Sequence, residues 1–193
     1  MLHRPITAPL FQRQIGASLI EVLVAVLLLS FGMLALGAMM SFAVQAPKLS
    51  AYRATATNLA SSHVERIRAN PQGFAKLDKT GGNYEASLHG STAITYSSSV
   101  DCSYPDCKAD TLAAKDIQDA RIDIRRQLPT GDMIMKCSST PCLNTSYGEL
   151  WVVWQEPSTN ALLSASSDNC PTEATTMYTN PGPRCLYLRF KIE

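Results

Sequence analysis

Nineteen consecutive residues, 22–40, contain a single polar side chain, Ser30. At about 1.5 Å rise per residue, a helix of that length spans roughly 28 Å, close to the ~30 Å hydrocarbon core of a bilayer. A helix that is apolar all round has no face for water, so this segment must be covered by lipid or by other helices. One carboxylate, Glu21, stands at its front edge. Residues 1–16 carry Arg4, Arg13 and His3 and no acid.

Positive charge ahead of the segment predicts a cytoplasmic N-terminus and a translocated remainder. A secretory signal has an apolar stretch of about 7–15 residues and a small-residue cleavage site behind it. The run here is longer, although Ser41-Phe42-Ala43 offers small residues at a suitable place. A plain signal peptide and an uncleaved anchor are the two simple readings of this N-terminus. Glu21 complicates both, because an acid at the centre of a membrane helix costs about +2.5 to +3.5 kcal/mol and calls for a partner.

The chain has 193 residues, with Lys+Arg 17 against Asp+Glu 16. That balance gives no basis for nucleic-acid contact, which shows as a basic patch or a high pI. About 145 residues follow the apolar segment, enough for one domain with its own core. Within them Leu49, Tyr52, Ala56, Leu59, His63 and Ile67 recur at intervals of three and four. They continue the helix as an amphipathic one to about residue 70, where Asn70-Pro71 and Gly73 stop it. Pro47 removes one backbone donor and marks a place for a kink. His63 lies on this stripe and reads as a packed residue.

Gly73, Gly81, Gly82 and Gly90 punctuate residues 71–90 as a loop, and residues 91–100 form a candidate strand. Residues 112–128 predict a second helix with Ala113, Ile117, Ala120, Ile124 and Leu128 on one face. Asp110 or Thr111 is its expected cap, and Pro129-Thr130-Gly131 its end. Strand signals follow at 133–137, 149–156 and 185–192. In the second, Leu150, Val152 and Trp154 face one side and Trp151 and Val153 the other. The third alternates, with Leu186, Leu188, Phe190 and Ile192 inward and Tyr187, Arg189 and Lys191 outward. Residues 158–183 read as a polar loop. The fold class is α+β, an antiparallel sheet packed on the long N-terminal helix, with one further helix and disulfide-containing loops.

The six cysteines, Cys102, Cys107, Cys137, Cys142, Cys170 and Cys185, all follow the apolar segment. An even count behind an export segment points to an oxidising compartment, the periplasm or cell surface. Six cysteines allow fifteen pairings and spacing alone does not decide among them. Near neighbours close cheaply, which favours 102 with 107, 137 with 142 and 170 with 185. Zinc is the competing use, but no C-x₂-C occurs and His63 and His89 lie elsewhere in the chain. A redox site would need C-x-x-C.

No G-x-S-x-G, H-E-x-x-H, P-loop or glycine fingerprint is present. A Ser-His-acid site beyond the leader would have to use His63, on the helical stripe, or His89, in a Gly-rich loop. Trp151 and Trp154 point to opposite faces, so packing is a better reading than a sugar platform. The expectation is a chain that is not an enzyme and has no cofactor.

The stretch Gly16-Ala17-Ser18-Leu19-Ile20-Glu21-Val22-Leu23-Val24-Ala25 resembles the type III signal of type IV prepilins and type II secretion pseudopilins. The resemblance implies cleavage between Gly16 and Ala17 by a membrane prepilin peptidase, methylation of the new N-terminus, and retention of the apolar helix. Ala17 stands where that family usually has Phe or Met. Glu21 lies four residues after Ala17, so the new ammonium and the carboxylate would share a helix face. Chemistry alone leaves open whether Glu21 pairs with its own N-terminus and helix dipole or with a neighbour's amine. The resemblance implies the neighbour, during filament assembly.

Leu27-Leu28-Leu29-Ser30-Phe31-Gly32-Met33-Leu34 and Glu65-Arg66-Ile67-Arg68-Ala69-Asn70-Pro71 resemble the type IV pilus modification (PilV) family of minor pilins. So do Leu128-Pro129-Thr130-Gly131 and the final cysteine-bearing strand. The resemblance implies a pilin-like fold divided into a leader (1–16), a transmembrane and filament-core helix (17–46), its amphipathic continuation (47–70) and a periplasmic domain (71–193). It implies a subunit that joins other minor pilins and the major pilin on an inner-membrane assembly platform and initiates pili, with the fibre tip as one position open to it. Such pili serve twitching motility, adhesion and DNA uptake. The alternatives are a minor pseudopilin of the I type in type II secretion, and a membrane-anchored periplasmic binding or enzymatic domain that never polymerises.

Overall fold

The computed structural model describes residues 16, 18–75, 84–90, 102–103, 105, 107–143, 145–156, 168–179 and 181–192. Ala17 and the strand expected over 91–100 lie outside them. Two compact units, Met1–Ala46 and Pro47–Glu193, divide the chain. Helix α1 runs Leu19–Ala69 with Pro47 inside it.

The second unit is built on the amphipathic part of α1. Ala56, Ala60, His63, Val64 and Ile67 are buried, with Tyr52 and Leu59 packed against them. Arg66 and Arg68 occupy the last turn, where cations suit the helix dipole. Asn70 then caps a short helix α2, Pro71–Phe74, accepting the Gly73 N–H at 3.2 Å. Pro71 opens that helix, where a missing N–H costs nothing.

Helix α3, Ala109–Gln127, places Ala113, Ala120 and Ile124 in the same core as α1. It begins earlier than the expected residue 112, and neither Asp110 nor Thr111 caps it. The cap position is Lys108, whose side chain makes no capping bond. Asp110 instead accepts its neighbour's Thr111 N–H at 2.8 Å, inside the first turn, where its charge favours the dipole.

Strands β1 (Asp132–Cys137), β2 (Tyr147–Gln155) and β3 (Pro183–Lys191) form an antiparallel sheet in the order β1-β2-β3. The strands start one or two residues before the sequence-based limits, and β2 and β3 also end one residue short of them. One face carries Met133, Met135, Leu150, Val152, Trp154 and Phe190 into the core shared with α1 and α3. The other carries Ile134, Val153 and Cys185 into a smaller core with Ala174 and Tyr178. Helix α4, Thr172–Met177, supplies Ala174 and lies inside the stretch read as a polar loop.

The outer edge of β1 is closed. Ala86 and Met135 exchange both backbone bonds, at 3.0 and 2.9 Å. The Met133 N–H donates to Asp132 Oδ1 at 2.8 Å and the Cys137 N–H to Glu85 Oε1 at 3.4 Å. All six cysteines are paired, Cys102–Cys107, Cys137–Cys142 and Cys170–Cys185, with Cα–Cα distances of 4.7, 5.7 and 5.3 Å.

Candidate membrane and assembly segment

Ser18 starts the helix. Its carbonyl accepts the N–H of Glu21 at 3.0 Å and of Val22 at 3.2 Å. Ser is among the favoured residues at that place, and Ser18-Leu19-Ile20-Glu21 has the S-x-x-E spacing of a capping box. Glu21 therefore occupies the first turn, where free N–H groups and the positive end of the dipole favour a carboxylate. It is solvent-exposed, as are Ser18, Leu19 and Ile20. Gly16 ahead of it is exposed too, with nothing within 4 Å of the place a Cβ would take.

Every described side chain from Leu19 to Met40 is exposed, including Leu23 at 61%, Phe31 at 64% and Leu34 at 71%. Fully covering a Leu, Val or Phe is worth about 1.5–3 kcal/mol, so leaving this surface in water is untenable by tens of kcal/mol. Ten Leu, Val and Phe side chains lie between residues 22 and 40. On the insertion scale each contributes about −0.3 to −0.6 kcal/mol at the helix centre, or about −3 to −6 together. That exceeds what one Glu at the interfacial edge opposes. The one polar group, Ser30 Oγ, donates to Val26 O at 2.8 Å, so its hydroxyl is satisfied within the helix. The helix is long and apolar enough to cross a membrane.

The second unit holds two buried polar clusters. In one, Tyr84 donates to Asp116 Oδ2 at 2.7 Å, and Asn70 Nδ2 reaches Tyr84 Oη at 3.1 Å and the Ala109 carbonyl at 2.7 Å. His63 meets the Tyr84 ring edge-on at 6.0 Å. Both His63 ring nitrogens are buried without a hydrogen-bond partner. Burial, reinforced by Arg66 and Arg121, lowers the His63 pKa to about 4, and burial together with the Asp116 bond raises that of Tyr84. A neutral imidazole and an un-ionised phenol closed off from solvent tie α1 to α3.

In the other cluster, fully buried Asp132 accepts the His89 N–H at 2.6 Å and lies 3.8 Å from Arg121 and 3.7 Å from Arg125. Arg121 also bonds His89 Nε2 and the Ser87 carbonyl, and Arg125 the Gly90 carbonyl. Burial lowers the Arg121 pKa, and the Asp132 charge opposes that. This cluster pins residues 84–90 against α3 and thereby holds Ala86 on the sheet edge. Nothing in the sequence flagged it, because a lone Asp at a strand start looks like turn chemistry.

Of the two histidines open to a Ser-His-acid site, His63 lies in the core and His89 in the loop 84–90. Trp154 is buried with its Nε1 on Glu156 at 3.3 Å, and Trp151 lies on the opposite face, 4.9 Å from the Tyr187 ring. Among the described residues no group of three or more His, Cys, Asp or Glu is placed to hold a metal ion. No protein-family model matches this chain, and no curated protein or solved structure does.

Proposed function

We propose that this chain is a minor type IV pilin, cleaved between Gly16 and Ala17 and used with other minor pilins to initiate pilus assembly. The observation that carries the reading is Glu21, a lone carboxylate at the head of a helix whose one other polar side chain through residue 40 is Ser30. In a simple anchor that carboxylate would serve only the helix N-terminus. In a filament packed from such helices it would also find the ammonium of a neighbouring subunit. The disulfide-containing α+β unit that follows supports an exported role.

Two measurements test it. Intact mass of the protein purified from its native membrane is expected to lack residues 1–16, with Ala17 at the N-terminus. A mass that retains the leader removes the prepilin reading altogether. Glu21→Ala is expected to leave insertion and cleavage intact and to abolish or sharply reduce surface pili. Normal piliation with this variant means that no intersubunit ion pair is needed. A deletion that abolishes secretion of exported enzymes but leaves pili normal would assign the chain to type II secretion instead.

A further inference from the structure

The two edges of the sheet are unlike. On β1, the outward N–H groups of Met133, Met135 and Cys137 are all taken, by Asp132, Ala86 and Glu85. The register decides what β3 presents. Met135 bonds outward to Ala86, so Met135↔Leu150 exchanges no ladder bonds and Leu150↔Leu188 does. Leu186, Leu188 and Phe190 thus aim their backbone groups at β2. Those of Tyr187, Arg189 and Lys191 aim away from the sheet, and among the described residues nothing bonds to them. The row is closed only at its start, where Cys185 N–H lies 3.4 Å from Asp168 Oδ2.

A groove of about 520 Å³ runs beside this edge, lined by Arg68, Arg189, Phe190, Lys191 and Ile192. Every charge in that lining is positive. Arg68 is held by Glu65 at 2.7 Å, and Arg189 lies 3.9 Å from Glu149 and over the Tyr147 ring at 4.2 Å. Among the described residues Lys191 has no anionic partner. Cations along an edge discourage pairing with neutral or basic strands. A second copy paired about a two-fold axis at Arg189 would set guanidinium against guanidinium.

We propose that the β3 edge takes up an extended acidic segment of a partner protein as a fourth strand. Main-chain bonds to Tyr187, Arg189 and Lys191 hold the segment, and carboxylates at alternate positions face Arg189 and Lys191, on the sheet face away from α1. This is strand addition, in which the backbone supplies affinity and the side chains supply selection. The inference rests on the second unit alone and stands whether or not the chain is a pilin.

Residue-resolved amide exchange on the full chain in uncharged detergent micelles tests it. In the free protein, the amides of Tyr187, Arg189 and Lys191 are expected to exchange at least ~100-fold faster than those of Leu186, Leu188 and Phe190. A synthetic peptide of alternating Glu and Val should slow the fast set by at least ~10-fold, and its Lys-Val counterpart should not. N-methylation of alternate peptide amides should abolish the effect in one phase and spare it in the other. Arg189→Glu with Lys191→Glu should reverse the preference between the two peptides. Uniform exchange across the six amides, equal protection by both peptides, or indifference to methylation phase overturns the proposal. So does equal protection by inorganic phosphate or by phosphatidylglycerol vesicles, which would assign the groove to a small anion or a lipid surface.

Discussion

His63 should make the second unit acid-sensitive above the range in which most carboxylates titrate. Its ring is 2% exposed, lies against Tyr84 and is repelled by Arg66 and Arg121 when protonated. Folding lowers its pKa from 6.5 to about 4. Above pH 6.5 the ring is neutral in both states and stability is at its full value. As pH falls, the unfolded chain takes up the proton first, so the native state loses about 1.4 kcal/mol per pH unit. The sum reaches about 3 kcal/mol at pH 4, where the folded ring begins to titrate. His63→Leu keeps the volume, removes the titration and relieves two unsatisfied ring nitrogens. The assay is urea unfolding in non-ionic micelles from pH 7 to pH 4, followed by the fluorescence of buried Trp154. The wild-type protein should lose about 3 kcal/mol more than His63→Leu over that range. Parallel pH profiles would show that the ring is solvated or partnered and would refute the reasoning.

Asp132→Ala leaves Arg121 and Arg125 facing a vacated, fully buried site and should cost about 3–5 kcal/mol in urea unfolding; a loss near zero would mean that both arginines find water. Gly148→Ala puts a Cβ 2.3 Å from Phe190 Cζ, so thermal unfolding should report about 1–3 kcal/mol of overpacking. Replacing Cys170 and Cys185 together by Ser opens a loop with a sequence separation of 15. It should remove about 3 kcal/mol and raise amide exchange in α4 before the rest of the unit.

Periodicity carried much of this fold into view. The three- and four-residue spacing of Ala56, Leu59, His63 and Ile67, and the alternation from Leu186 to Ile192, encode which face is buried. That face is set by the same sterics in sequence and structure. Helix α4 was hidden because Thr-Glu-Ala-Thr-Thr-Met is short and rich in a β-branched residue with poor helix propensity. Tertiary packing of Ala174 onto Ile134 and Val153 holds it. The α3 start was misplaced because Asp110 looks like a cap, whereas the helix begins at Ala109, whose carbonyl accepts from Asn70 Nδ2. Glu21 and its apolar helix were visible at once, since one charge in such a run has no background to hide it. The guarded edge of β1 was not, because it depends on residues 84–90 meeting residues 121–137 across the fold.

That guard also decides what a crowd of these molecules can do. Fibrillar stacking needs a strand surface on both sides of each copy, so that every addition exposes the next. Here Asp132, Ala86 and Glu85 occupy the outward N–H groups of Met133, Met135 and Cys137, so one side offers no free donor row. Two copies that met through their C-terminal strands would expose only guarded margins, and growth would halt at a pair. The protein can therefore be concentrated in a membrane or at a surface without its sheet seeding an aggregate.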